Sequence, residues 1–165
     1  MSGFVHEDGW AANEKFEWYT PPKIFDALGL EFDLDPCSPG PEKCFTPAKK
    51  HLTIVDDGLT AEWSGLVWCN PPYGRHTRDW LFKMADHKNG IALVFARTGT
   101  KWFHECIRST DAVCFIGGRL RFINGLTGKQ GDSAGADSML LAWGEVSKNA
   151  VIKSKLGIPM EVIHE

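Results

Sequence analysis

Apolar runs of strand length alternate with segments of helical periodicity along this chain, and that alternation limits the folds open to it. Residues 91–95 and 112–116 are continuous apolar runs, as in strands covered on both faces. Residues 65–69 and 138–143 read as strands too, and residues 31–35 alternate polar with apolar side chains. Between these runs, residues 77–87 carry Trp80, Leu81, Met84 and Ala85 on one helical face. Residues 100–108 do the same with Trp102, Phe103, Cys106 and Ile107. Thr20-Pro21 reads as a helix start, with Thr20 as N-cap and Pro21 at the first helical position, and Gly29 as the stop. Residues 45–54 fit neither period, residues 119–123 alternate, and residues 124–137, rich in Gly, Ser and Asp, predict a mobile loop. The expectation is an α/β fold: a mostly parallel sheet with helices on both faces, in one domain over residues 1–165 after a loose lead-in at 1–15.

Sheets of this kind bind ligands at the carboxyl ends of their strands. Two segments lie at such ends: Asp35, and the tetrapeptide Asn70-Pro71-Pro72-Tyr73. The tetrapeptide suits one task, holding a planar amino group while its nitrogen reacts. The lone pair of an exocyclic amino group is delocalised into its ring, and two acceptors for its N–H groups draw the nitrogen toward tetrahedral geometry. The Asn70 side-chain oxygen is one such acceptor and the Pro71 carbonyl a second. Consecutive prolines stiffen the turn and remove N–H donors that would compete there. The Tyr73 ring can stack on a base, worth roughly 1–3 kcal/mol, which helps offset the few kcal/mol needed to flip a base out of a duplex. A tight turn after a strand is the plain alternative, since Asn-Pro and Pro-Pro are common turn formers.

Charge is unevenly spread. Residues 1–74 hold five Lys/Arg against twelve Asp/Glu, a net of −7, whereas residues 75–129 hold ten against four, a net of +6. A basic stretch beginning just past the tetrapeptide can attract phosphates although the whole chain carries −3. Arg75, Arg78, Arg119 and Arg121 are the candidate phosphate contacts. The five cysteines form no CxxC pair, which argues against a disulfide framework. Cys37, Cys44 and His51 match no common zinc spacing and lack an evident fourth ligand, so no metal is expected. No run approaches the length of a membrane helix and no signal segment is visible, so a cytosolic protein is the expectation.

Asn70-Pro71-Pro72-Tyr73 resembles the (D/N/S)PP(Y/F/W) motif of amino-methyltransferases that use S-adenosylmethionine. Residues 32–40 look like a shortened form of their first cofactor motif. Asp57-Gly58-Leu59 with Trp63 resembles their acidic adenine-binding motif, and Trp18-Tyr19-Thr20-Pro21 their N-terminal Thr-Pro element. With Arg97 to Phe103, Gly118 to Phe122 and the strand at 138–144, the set resembles the small phage DNA N6-adenine methyltransferases, the Dam-like enzymes, over roughly residues 16–144. The resemblance implies a compact Rossmann-like class I methyltransferase fold, S-adenosylmethionine as methyl donor, double-stranded DNA as partner, and the host cytoplasm as location if the chain is phage-encoded. It implies that Thr20, with Pro21, holds the cofactor carboxylate. Asp35, Pro36 and Cys37 line its methionine end, and Asp57 accepts from its adenine amino group. Asn70, Pro71, Pro72 and Tyr73 hold the target adenine, and Phe122 covers the other face of the base.

The chain departs from the pattern in two places. Ser38-Pro39-Gly40 offers one glycine where such cofactor loops carry a glycine-rich turn. Only twenty-one residues lie between Asp35 and Asp57, little room for a strand–helix–strand unit, and Glu42 is the nearest acid for the ribose hydroxyls. Neighbouring Asp56 competes with Asp57 for its role. No separate target-recognition domain is expected, so sequence reading falls to residues 74–78 and 124–137. Similar tetrapeptide sites serve other amino groups, on RNA bases, cytosine N4 or protein glutamine. The alternative of another class is a non-catalytic DNA-binding module with a methyltransferase-like fold.

Overall fold

A computed structural model describes residues 17–164; the lead-in expected at 1–15 lies outside the described residues. Nine strands and four helices follow in chain order among them. These are β1 (Trp18–Tyr19), α1 (Pro22–Leu28), β2 (Phe32–Asp35), β3 (Ala48–His51), β4 (Val67–Cys69), α2 (Thr77–His87), β5 (Gly90–Phe95), α3 (Lys101–Ile107), β6 (Ala112–Ile116), β7 (Ile123–Asn124), β8 (Ser138–Trp143), α4 (Glu145–Lys153) and β9 (Gly157–Glu161). No helix among the described residues is long and apolar enough to cross a membrane.

Seven strands form one sheet in the order β3-β2-β4-β5-β8-β6-β9, and β1 pairs with β7 in a separate antiparallel ribbon. The pairs β3–β2, β2–β4 and β4–β5 are parallel, while β5–β8, β8–β6 and β6–β9 are antiparallel. The sheet is mixed: β3, β2, β4, β5 and β6 run one way, while β8, between β5 and β6, and β9, at the edge beside β6, run the other. A return strand of opposite direction needs no crossover helix, which suits the irregular stretch at 117–137 that precedes it.

Side chains alternate along the strands between two cores, one on each face. Trp68, Ile91, Leu93, Leu140 and Ala142 pack with α1 residues Ile24, Phe25 and Leu28 and with Val151 of α4. Val67, Cys69, Ala92, Val94, Leu141 and Trp143 pack with Trp80, Leu81 and Met84 of α2 and with Phe103 and Cys106 of α3. Helices cover both faces, as the continuous apolar runs require.

Several sequence expectations change. Pro21, not Thr20, is the N-cap of α1, with Pro22 at the first helical position and no side-chain capping bond. Residues 119–123 contribute only the start of β7. The segment after it folds into a tight hairpin. Ile123 bridges Gln130, and the Asn124 side-chain oxygen accepts from the amides of Leu126 and Thr127 at 2.9 and 3.0 Å.

The strand order creates a switch point. From β2 the chain moves outward to β3; from β4 it moves the other way, through α2, to β5. The crevice between the carboxyl ends of β2 and β4 is where an open sheet takes its ligands. Leu34 pairs with Val67, so Asp35 stands level with Trp68 and Asn70 lies two residues further out. Cys69 pairs with Ala92, so Phe95 stands level with the turn that follows Asn70.

Candidate active site

Asn70 leaves β4 at the edge of the crevice. Its Nδ2 donates to Thr20 Oγ1 at 3.1 Å, whereas its Oδ1 is shielded from solvent with no partner. An unpaired buried acceptor costs about 1–3 kcal/mol, a cost recovered when a ligand N–H pairs with it. The Pro72 carbonyl is taken by the Thr77 hydroxyl at 2.7 Å, and Thr77 Oγ1 accepts from the Gly74 amide at 3.0 Å. Pro71's carbonyl has no hydrogen bond among the described residues. Thr77, the first residue of α2, thus straps the Pro-Pro-Tyr-Gly turn to the helix that follows. Gly74 sits at φ 144, where a side chain would be strained.

The Tyr73 ring lies flat on Phe95, with centroids 3.9 Å apart and planes 13° apart. Its hydroxyl is shielded and unpartnered, and burial pushes its pKa up. Both orphan atoms are out of solvent, so a ligand reaches them only if residues 70–74 shift. Phe122, expected over the second face of a base, is 8% exposed and sits in the core on the α1 side. The aromatic ring beside Tyr73 is Phe95 instead.

Asp35 ends β2 and is 3% exposed. Its Oδ1 accepts from the Cys37 amide at 3.1 Å. Burial raises its pKa from 3.8 to about 6, against the opposing bonds from Thr46 and the Cys37 N–H. A carboxyl raised in the folded state holds its proton more tightly there than in the unfolded chain. Its contribution is therefore full below about pH 4 and is lost as pH climbs through 6. A rise of this size is on the order of 3 kcal/mol. Asp35→Asn is expected to unfold at higher urea than the parent protein at pH 8, with the difference gone near pH 4.

The acidic turn stands across the crevice. Asp56 is consumed by the turn itself: its Oδ2 accepts from the Thr53 amide at 2.7 Å and the Thr53 hydroxyl at 3.0 Å. Asp57, at φ 50, is exposed, and its carboxylate has no hydrogen bond among the described residues. Lys83 of α2 anchors this turn, donating to the carbonyls of Leu59, at 2.7 Å, and Ala61. Its ammonium also lies 5.2 Å from the centre of the Trp63 ring. Trp63 Nε1 donates to the Gly58 carbonyl at 2.8 Å and its ring stacks toward Trp80. Burial lowers the Lys83 pKa, with Asp57 opposing. Lys83→Met should cost about 1–3 kcal/mol, the usual worth of charged hydrogen bonds. Urea unfolding reads that loss, and ligand affinity at the acidic turn should fall with it.

Sequence reasoning missed Thr77, Lys83 and Phe95. Thr77 had a signal, a hydroxyl three residues past Gly74 at a helix start. Lys83 and Phe95 had none, because their partners lie about twenty residues away in sequence.

Residues 36–47 replace the usual crossover helix. Ser38 Oγ lies 2.8 Å from His51 Nδ1 and 3.5 Å from Cys44 Sγ, and accepts from the Gly40 amide. His51 Nε2 faces the Ala48 carbonyl at 3.1 Å. Donor atoms of Asp35, Cys44 and His51 all lie within 4.8 Å of one another, with Asp35 in the place the sequence suggested for Cys37. Their hydrogen bonds hold the loop against β2 and β3. Burial pushes the thiols of Cys37 and Cys69 up, with negative neighbours adding to it, so neither is a ready nucleophile. Glu42 lines a cleft of about 370 Å³ with Tyr19 and Leu126, away from Asp35, Asp57 and Asn70.

Of the candidate phosphate contacts, Arg78 lies 3.7 Å from Asp79 and Arg119 3.5 Å from Asp137. Arg75 and Arg121 are exposed with no ion pair among the described residues. Arg75 directly follows the 70–74 turn.

Comparison with known proteins adds an independent finding. Residues 10–158 match the family profile described as DNA N-6-adenine-methyltransferase (Dam). A DNA N-6-adenine-methyltransferase of Haemophilus phage HP1 (strain HP1c1) is 29% identical over 152 residues, covering 86% of each chain.

Proposed function

The chain belongs to the DNA N-6-adenine-methyltransferase (Dam) family, and we propose that it methylates adenine N6 in DNA at the crevice between β2 and β4. The observation that carries this reading is the shielded, unpartnered Asn70 Oδ1 at the end of β4. An acceptor without a donor, beside a free Pro71 carbonyl, fits an amino group that brings two N–H bonds. In this reading the 70–74 turn opens to admit a flipped adenine. Asn70 and Pro71 take the two N–H groups and localise the lone pair on N6. Tyr73, steadied by Phe95, stacks on the base.

The family's methyl donor is of the S-adenosylmethionine type, and it supplies an electrophilic methyl group. The residues present fit such a donor. Asp57 offers a carboxylate without a hydrogen bond for the adenine amino group, and Gly58 lets the acidic turn meet the Pro36 backbone. Asp35, Pro36 and Cys37 form the floor at the methionine end, and Thr20 with Pro21 faces its carboxylate. A cationic donor arriving near Asp35 favours the ionised carboxyl, so donor affinity rises as pH passes from 5 to 7. A donor held there would supply its methyl group to N6 and keep the bonding electron pair on sulfur, and N6, held by Asn70 and Pro71, would give up one proton to water.

The sheet is of the Rossmann-like class I type in this reading, with β8 and β9 as its reversed strands. Residues 1–165 act as one methyltransferase domain. Double-stranded DNA lies across the basic side, where Arg75, Arg78, Arg119 and Arg121 meet phosphates, and residues 74–78 and 124–137 meet the target sequence. Incubation with labelled S-adenosylmethionine and mixed-sequence duplex, followed by nucleoside analysis, tests the assignment. N6-methyladenine is the expected product. Label on cytosine N4, or none in DNA, overturns it.

A further inference from the structure

Thr20 is 5% exposed, yet it caps no helix. The hydrogen bond that reaches its side chain comes from Asn70 Nδ2, fifty positions away, at 3.1 Å. At the other end of the same amide, Oδ1 is shielded and unpaired. A primary amide keeps nearly the same shape when its oxygen and nitrogen exchange places, so close packing alone does not orient it and hydrogen bonds must. From this geometry we infer that Thr20 is a positioning residue: it holds the Asn70 nitrogen inward and so presents Oδ1 to the target amino group. The inference rests on the reading of Asn70 as an acceptor from adenine N6.

The consequence for rate is direct. With the amide reversed, Asn70 would aim two N–H donors at an amino group whose own hydrogens face them. That contact repels, and the population of productive sites drops. The Pro-Pro turn cannot correct the orientation, because it fixes backbone and not the Asn70 amide plane. A hydroxyl both donates and accepts, so Thr20 enforces one orientation best when its own hydrogen is engaged elsewhere. That hydrogen has no acceptor among the described residues. A carboxylate brought by the methyl donor would take it and leave only lone pairs facing Asn70.

Thr20→Val keeps shape and burial and deletes the hydroxyl, and Thr20→Ser restores it. Single-turnover methylation at saturating S-adenosylmethionine and DNA, with calorimetric donor affinity, is measured in the parent and in Asn70→Ala. Thr20→Val is expected to slow the saturated rate about tenfold, and Thr20→Ser to stay within about threefold of the parent. In the Asn70→Ala background, Thr20→Val should cause no further slowing, because the amide it orients is gone. If Thr20→Val weakens only donor affinity and leaves the saturated rate intact, the inference is overturned. It is equally overturned if the two losses multiply, or if Ser does not restore the rate. Should Thr20→Val not melt cooperatively, Thr20→Ala carries the same comparison. Failure of the parent protein to form N6-methyladenine would instead defeat the functional reading beneath it.

Discussion

Asn70→Ala is expected to slow methyl transfer at saturating substrates at least about tenfold, on the order of 1.4 kcal/mol in the barrier. The loss can approach 10²–10³ if the contact strengthens as charge develops on N6, as with oxyanion-type contacts. Donor affinity should stay close to that of the parent, since Asn70 faces the base and not the donor in the proposed reading. The fold should tolerate the change, because it removes an amide whose oxygen is already unpaired. Single-turnover kinetics beside calorimetry separate the two readouts. Unchanged turnover would remove Asn70 from the chemistry, and an equal loss in donor affinity would move it to the donor side.

Gly58→Ala should destabilise the protein at the crevice itself. A Cβ at this position would run into the Pro36 carbonyl oxygen and stand 2.9 Å from the Trp80 ring. Neither neighbour yields easily: Pro36 is backbone between two crevice residues, and Trp80 is buried in the core beneath α2. Overpacking of this kind costs about 1–3 kcal/mol and occasionally more, or roughly 2–12 °C in melting temperature for a chain of this size. Donor affinity should fall by a larger factor than the melting shift alone implies, because the acidic turn and the cofactor loop are pushed apart. Thermal melts with and without S-adenosylmethionine read both losses. Preserved donor-induced stabilisation in the variant would show that the two segments need not touch.

Much of the fold was legible because its signals are local. The helix at 77–87 and the strands at 112–116 and 138–143 carry their own periodicity and end where the structure ends them. Asp35 and Asn70 were legible as strand-end residues for the same reason. What the sequence hid depends on distant partners. Residues 48–51 (Ala-Lys-Lys-His) have no apolar signature, and they form β3 only because β2 offers a parallel edge to pair with. The place of β8 between β5 and β6 is a matter of sheet order, to which no window of residues testifies. In the site, the choice between Asp56 and Asp57 turned on a hydrogen bond to Thr53 that spacing does not reveal. That Phe122 lies in the core on the α1 side was also hidden, because an alternating pattern does not tell which face is covered.

The ribbon of β1 and β7 ties the residue before Thr20 to a distant hairpin. Tyr19 is paired with Ile123 and Trp18 with Asn124, and a Cβ at Gly131 would meet the Trp18 ring. The hairpin that begins at Ile123 is therefore geared to the residue directly before Thr20. Paired backbone thus joins the hairpin at Ile123 to Tyr19, and one hydrogen bond joins the neighbouring Thr20 to Asn70, so segments more than a hundred positions apart in the chain meet beside one amide.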